Sequence, residues 1–262
     1  PLGETTGSIH TGNFENHNPG HTPWLHFAKL LKRELGYPIG IVMTAYGGAP
    51  LRWWDIEDNG ALYRNMLELL EADGLRPRGL LWYQGEAEGY EKAADTYLER
   101  FARFVRRLRE DLESPGLPVL TAQLNRCMTP CDTDLDRQWG MVRQAQREAA
   151  RRLENVWVVP AIDLPLYDFI HNSSQGNLVL GERMARCALA EIYGKKLEWR
   201  APAEGRAGRL GPDTGQRQFQ RGYNPAHHSA AAPPPLPRDA GDVDGVGSAT
   251  ANPTTRGPRI VR

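Results

Sequence analysis

Charge of one sign is missing from this chain: 32 Lys and Arg offset 32 Asp and Glu, leaving a formal net charge of zero. That excludes a surface built on excess charge for nucleic acid or anionic lipid. Cysteine is scarce, with only Cys127, Cys131 and Cys187 present. An odd number without CxxC spacing describes neither a disulfide framework nor a zinc site, although a local Cys127–Cys131 bond stays open. No apolar run reaches the length of a membrane span, and no G-x-G-x-x-G follows the first strand-like run, which argues against a dinucleotide fold. No signal-type segment opens the chain, but it begins at Pro1 and reads as lacking its natural start, so the compartment stays open.

What is present alternates between two periods. Trp24, Phe27, Ala28, Leu31 and Leu35 recur at helical spacing, with Gly36 at the cap position and Pro38 behind it. Ile39-Gly40-Ile41-Val42-Met43 then reads as a buried strand running into Tyr46-Gly47-Gly48-Ala49-Pro50. A helix over 62–72 feeds a strand at Gly79–Tyr83, a long helix is expected over 90–112, and a strand over 117–122. An irregular loop over 123–136, a helix over 138–153, a strand over 156–159 and a last helix over 176–193 complete the order. This rhythm predicts repeated βαβ units, hence a parallel sheet with helices on both faces. The arginines between 100 and 109 are interleaved with Glu99, Glu110 and Asp111, which describes a solvated helix face rather than a nucleic-acid patch.

Three expected domain regions follow: an irregular segment over 1–20, an α/β domain over 21–200, and a tail over 201–262. The tail, with Pro233-Pro234-Pro235 and almost no aliphatic periodicity, lacks the apolar surface to offset the entropy of ordering it. Its abrupt change of composition near Arg200 is that of a shifted reading frame, so it is expected to be disordered or not native.

Strand ends in open α/β sheets are where ligands sit. Gln84 and Glu86 follow one strand, the Gly47-Gly48 turn follows another, and Asp168 and His171 lie beyond a third. An aspartate three residues before a histidine can accept the Nδ1 proton and leave Nε2 as general base. Trp53, Trp54, Tyr83 and Trp139 are candidate stacking surfaces for a sugar ring.

The blocks PIGIVMTAYGGAPLRWW, GLLWYQGEAE and DFIHNSSQGNLVLGERMA, in this order, resemble the sialate O-acetylesterase and acetyl xylan esterase group of the SGNH (GDSL-like) hydrolase superfamily, over about 20–199. The resemblance implies a flavodoxin-like three-layer α/β/α sandwich that releases acetate from sugars such as sialic acid or xylan. It implies a Ser-His-Asp serine hydrolase with an acetylated carbohydrate as substrate, no metal or cofactor, no nucleic-acid or membrane partner, and a periplasmic or secreted location. His171 matches the general base and Asp168 its orienting acid. A backbone N–H of the Gly47-Gly48 turn and the Gln84 side-chain amide match the oxyanion donors, and Glu86 is read as holding Gln84 or its loop. The G-Q-S-N-type block that carries the nucleophile in this group has no counterpart here. Ser8, Ser173 and Ser174 match no nucleophile position. The chain is accordingly expected to be a poorly stable fragment without its first strand; the alternative is a non-catalytic sugar-binding remnant of the same fold.

Overall fold

The computed structural model describes residues 21–72, 74–129 and 133–200. The expectations for 1–20 and 201–262 and for the Cys127–Cys131 pair fall outside the described residues. In chain order, α1 (Pro23–Leu35) and α2 (Ala61–Ala72) precede β1 (Leu80–Trp82), which runs into the short α3 (Glu86–Tyr90). Then come α4 (Tyr97–Asp111), β2 (Val119–Gln123), α5 (Thr133–Arg152), β3 (Val156–Pro160) and α6 (Ser174–Glu191).

The strands form a parallel sheet in the order β1-β2-β3, with Leu81 opposite Leu120 and Leu120 opposite Trp157. Alternation along β2 sends its side chains to two cores. Val119 packs with α2, α4 and α5 on one face, while Leu120 and Ala122 pack with α1 and α6 on the other. The expected three-layer α/β/α arrangement is therefore present.

Local chemistry explains the helix ends. The Thr22 hydroxyl accepts the Trp24 N–H, Pro23 supplies a preset φ at the first position, and Gly36 closes α1 at φ 79°. Close approach of α1 to α6 requires Gly181, where a Cβ would lie 2.4 Å from the Pro23 carbonyl oxygen. The arginine face of α4 is used structurally: Arg103 pairs with Asp55, whose side chain is fully enclosed, and Arg109 donates to the Leu117 and Glu154 carbonyls. Burial works to raise the Asp55 carboxyl, but the Arg103 hydrogen bond, the Glu57 N–H and the charges of Arg103 and Arg100 together outweigh it and hold the group low.

Three expectations need correction. Residues 39–43 form neither helix nor strand and join no ladder among the described residues. A strand needs a neighbour about 4.8 Å away to satisfy its main chain, whereas this segment and β1 face each other across a cavity that both line. The long helix begins at Tyr97 rather than at 90, because the chain turns through Lys92 at φ 57° and a 3-10 turn at Ala94–Thr96. Conversely, α5 starts at Thr133, inside the expected loop, with Asp134 and Asp136 in its first turn complementing the helix dipole.

Replacing Gly181 with alanine should push α1 off α6 and cost roughly 1–3 kcal/mol, measured by urea unfolding; an unchanged midpoint would refute the close approach. Arg103→Met should cost roughly 3 kcal/mol by leaving the enclosed Asp55 charge with only the more distant Arg100, 3.7 Å away. Because the Asp55 carboxyl is lowered, that ion pair stabilises the fold above the ordinary value of 3.8 and is lost as pH falls below it. The wild-type and Arg103→Met midpoints should therefore converge in acid.

Candidate active site

The three segments that carry the candidate residues meet at the carboxyl end of the sheet. A cavity of about 1850 Å³ is lined by Gly47, Gly48, Gln84, Glu86, Asp168 and His171 together, and it continues between the 39–46 segment and β1.

The loop after β3 carries Asp168 and His171. Leu166 and Asn172 form an isolated antiparallel bridge, and the Tyr167 N–H donates to the His171 carbonyl, so the chain folds back on itself with Asp168 in the bend. Asp168 Oδ1 accepts the N–H groups of Ile170 (2.9 Å) and His171 (2.7 Å), and Oδ2 lies 2.7 Å from His171 Nδ1. Burial opposes ionisation of Asp168, yet the two backbone N–H groups and the imidazole together take its carboxyl down to about 2. It is thus a carboxylate held against Nδ1 of the imidazole. Asn125, at the end of β2, anchors this loop by donating to the Leu164 carbonyl (3.2 Å) and to Asn172 Oδ1 (2.6 Å).

The turn after the 39–43 segment is closed by the Ala49 N–H donating to the Tyr46 carbonyl, with Gly48 at φ 69°, a conformation that suits glycine. Arg52 pairs with Glu91 next to it. At the end of β1, the Gln84 carbonyl accepts from the Tyr97 hydroxyl (3.1 Å) and from Gln146 Nε2 (3.0 Å), so its backbone is rigidly held. Gly85 follows at φ 143°, where a Cβ would strike Val142 at 2.7 Å.

Two readings of this block change. Gln84 Nε2 donates to Glu88 Oε2 (2.5 Å) and to the Ala49 carbonyl (3.2 Å), so both amide protons are spent away from any oxyanion, and Oε1 is buried without a partner. The residue that holds Gln84 is Glu88, not Glu86. Glu88 sits one helical turn from Gln84 and also accepts the Leu51 N–H (2.5 Å). Glu86 instead faces the cavity near His171; its burial raises its carboxyl above the usual range, and the neighbouring imidazole partly offsets this. Burial likewise raises the Glu88 carboxyl, opposed by the Leu51 and Gln84 hydrogen bonds.

Among the aromatic candidates, Trp54 and Trp139 are 4% and 2% exposed and belong to the core. Trp139 packs on Gly89 and edge-on against Tyr90. Tyr83 is half-buried, and burial first and the Glu86 charge second raise its phenol. Trp53 remains partly open, edge-on to Tyr46. Sequence reasoning passed over Tyr167 and Phe169, 84% and 58% exposed on the loop of Asp168 and His171. It also did not use Asn125, Gln146 and Glu88, whose polar side chains carry no motif of their own. Ser173, next to the pair, accepts the Gly176 N–H as the cap of α6. No cluster of three or more His, Cys, Asp or Glu suited to a metal occurs among the described residues, and no helix there is long and apolar enough to cross a membrane.

With this geometry in place, comparison with known proteins decides the family. The model of a carbohydrate esterase family described as sialic acid-specific acetylesterase matches residues 5–190. The chain belongs to that family. A probable carbohydrate esterase of Arabidopsis thaliana is 29% identical over 181 residues, 66% of this chain and 65% of that relative, so the match spans just under two thirds of the relative's length. Among solved structures, a carbohydrate acetylesterase from Xanthomonas citri superposes with a TM-score of 0.63 at 29% identity, over 71% of this chain and 44% of that one. A protein from Arabidopsis thaliana superposes with a TM-score of 0.56 at 29% identity, over 64% of this chain and 68% of that one. The parallel sheet flanked by helices is thus the SGNH-like fold of carbohydrate esterases.

Asp168→Asn keeps a side-chain oxygen for the turn but removes the charge facing Nδ1. The 15N ring shifts of His171 near neutral pH should change toward the other tautomer; identical shifts in both proteins would mean that Asp168 does not set it. In wild type the interaction should persist until pH falls toward 2, since a lowered carboxyl loses its stabilising charge only on the acid side.

Proposed function

We propose that this member of the carbohydrate esterase family serves the removal of O-acetyl groups from sugars, with His171 as general base and Asp168 as the carboxylate that orients it. The observation that carries the reading is the Asp168–His171 contact of 2.7 Å in a cavity shared with the Gly47-Gly48 turn and the Gln84 strand end. The substrate class, acetylated carbohydrate, is supported by the family to which the chain belongs and by the solved acetylesterase it resembles.

In the mechanism proposed, His171 Nε2 removes a proton from a serine hydroxyl as its oxygen attacks the acetyl carbonyl. The imidazolium formed is stabilised by the Asp168 carboxylate and then protonates the departing sugar oxygen. Water, activated by the same imidazole, releases acetate from the acetyl-serine, which restores the hydroxyl. The carbonyl oxygen, negative in the tetrahedral intermediate, meets main-chain N–H groups of the Gly47-Gly48 turn; each such donor is worth roughly 3 kcal/mol of barrier. Glu86 forms the opposite wall near His171. The partly open Trp53 and exposed Tyr167 offer ring faces to a sugar.

The test is release of acetate from acetylated xylo-oligosaccharides and from O-acetylated sialic acid, followed by proton NMR, in a form extended upstream to supply the nucleophile block, with and without His171→Ala. Turnover should fall by roughly a thousandfold or more in the variant. Equal rates in the two proteins would remove His171 from the mechanism. Sugar binding without turnover in wild type would favour the non-catalytic reading of the same fold.

A further inference from the structure

Glu88 touches none of the groups assigned to bond making or breaking, yet it is a carboxylate only 3% exposed, one helical turn from the cavity wall. Its two oxygens serve two different segments. Oε1 accepts the N–H of Leu51, just beyond the Gly47-Gly48 turn, and Oε2 accepts Gln84 Nε2, each at 2.5 Å. Gln84 Nε2 also donates to the carbonyl of Ala49 at 3.2 Å, which closes a ring of hydrogen bonds through residues 49, 51, 84 and 88.

We propose that Glu88 is the positioning residue of this site: its carboxylate sets which end of the Gln84 amide is presented beside the cavity and ties that choice to the loop carrying Gly47 and Gly48. The role in catalysis rests on the acetylesterase reading; the hydrogen-bond ring itself does not.

The argument is one of donors and acceptors. Two oxygens, from Glu88 and Ala49, face the amide nitrogen. The reverse orientation would set Oε1 against both and lose two hydrogen bonds, one of them to a charged acceptor. Gln84 Oε1 is therefore turned away from both acceptors, and this atom is buried with no partner in the protein. With the Gln84 amide protons held by Glu88 and the Ala49 carbonyl, oxyanion stabilisation is left to main-chain N–H groups. Glu88→Gln is nearly isosteric but has a single side-chain oxygen. Once that oxygen accepts from Leu51, an NH2 faces the Gln84 NH2, and the Gln84 amide must turn or lose its partner.

The experiment is side-chain amide exchange by 15N NMR in wild type and Glu88→Gln. In wild type both Gln84 side-chain protons should be shifted from those of exposed glutamines and exchange slowly. In Glu88→Gln they should move and exchange faster by roughly tenfold or more, the loss of one hydrogen bond to a charged group. Rapid exchange of the Gln84 protons in wild type would overturn the proposal without need of any variant, and so would unchanged Gln84 resonances in a folded Glu88→Gln protein. If the protein fails to release acetate from any acetylated sugar, the functional reading falls while the exchange data still decide this assignment.

Discussion

A carboxylate enclosed to the extent of Glu88 persists only if donors meet it, and here the donors come from two loops far apart in sequence. Leu51 lies 37 residues before Glu88, and the hydrogen bond between them joins the Gly-Gly turn to the end of β1. The same strand end is held from behind by Tyr97 on α4 and Gln146 on α5, both bonded to the Gln84 carbonyl. Four segments thus converge on one residue. The position of the cavity wall follows from satisfying buried polar groups rather than from apolar packing alone.

The Asp168–His171 pair is built on a different plan. Asp168 and His171 lie on an exposed bend, and what fixes them is local: two backbone N–H groups, a fold-back bridge and the Asn125 anchor to β2. Such a bend keeps its geometry without burial. The two halves of the site therefore differ in rigidity for a physical reason: one is cross-braced by a buried charge, the other by short-range turns.

Much of the fold was legible because α1, α4 and α6 show clean apolar stripes and β2 and β3 are short apolar runs between helices. The Gly36 cap lies where the sequence places it. The segment 39–43 misled because its composition is that of a strand while pairing depends on a neighbour that composition cannot reveal. The helix start at Tyr97 was obscured by Lys92, a residue type with no usual preference for the left-handed conformation it adopts. In the site, the D-x-x-H spacing foretold the Asp168–His171 contact because three residues suffice for an Asp turn. Glu88 could have been found from its spacing, since residues four apart on a helical turn can meet, but Glu86 lies nearer the motif and drew the assignment. The orientation of the Gln84 amide was not legible at all; it depends on the Ala49 carbonyl, 35 residues away.

The measurement that bears most directly on the central claim is a crystal structure of His171→Ala soaked with an O-acetylated monosaccharide. The account predicts the acetyl carbonyl oxygen against the main-chain N–H groups of the Gly47-Gly48 turn, and the sugar beside Gln84 and the 165–173 loop. An acetyl group seated outside the cavity that these residues share would contradict it.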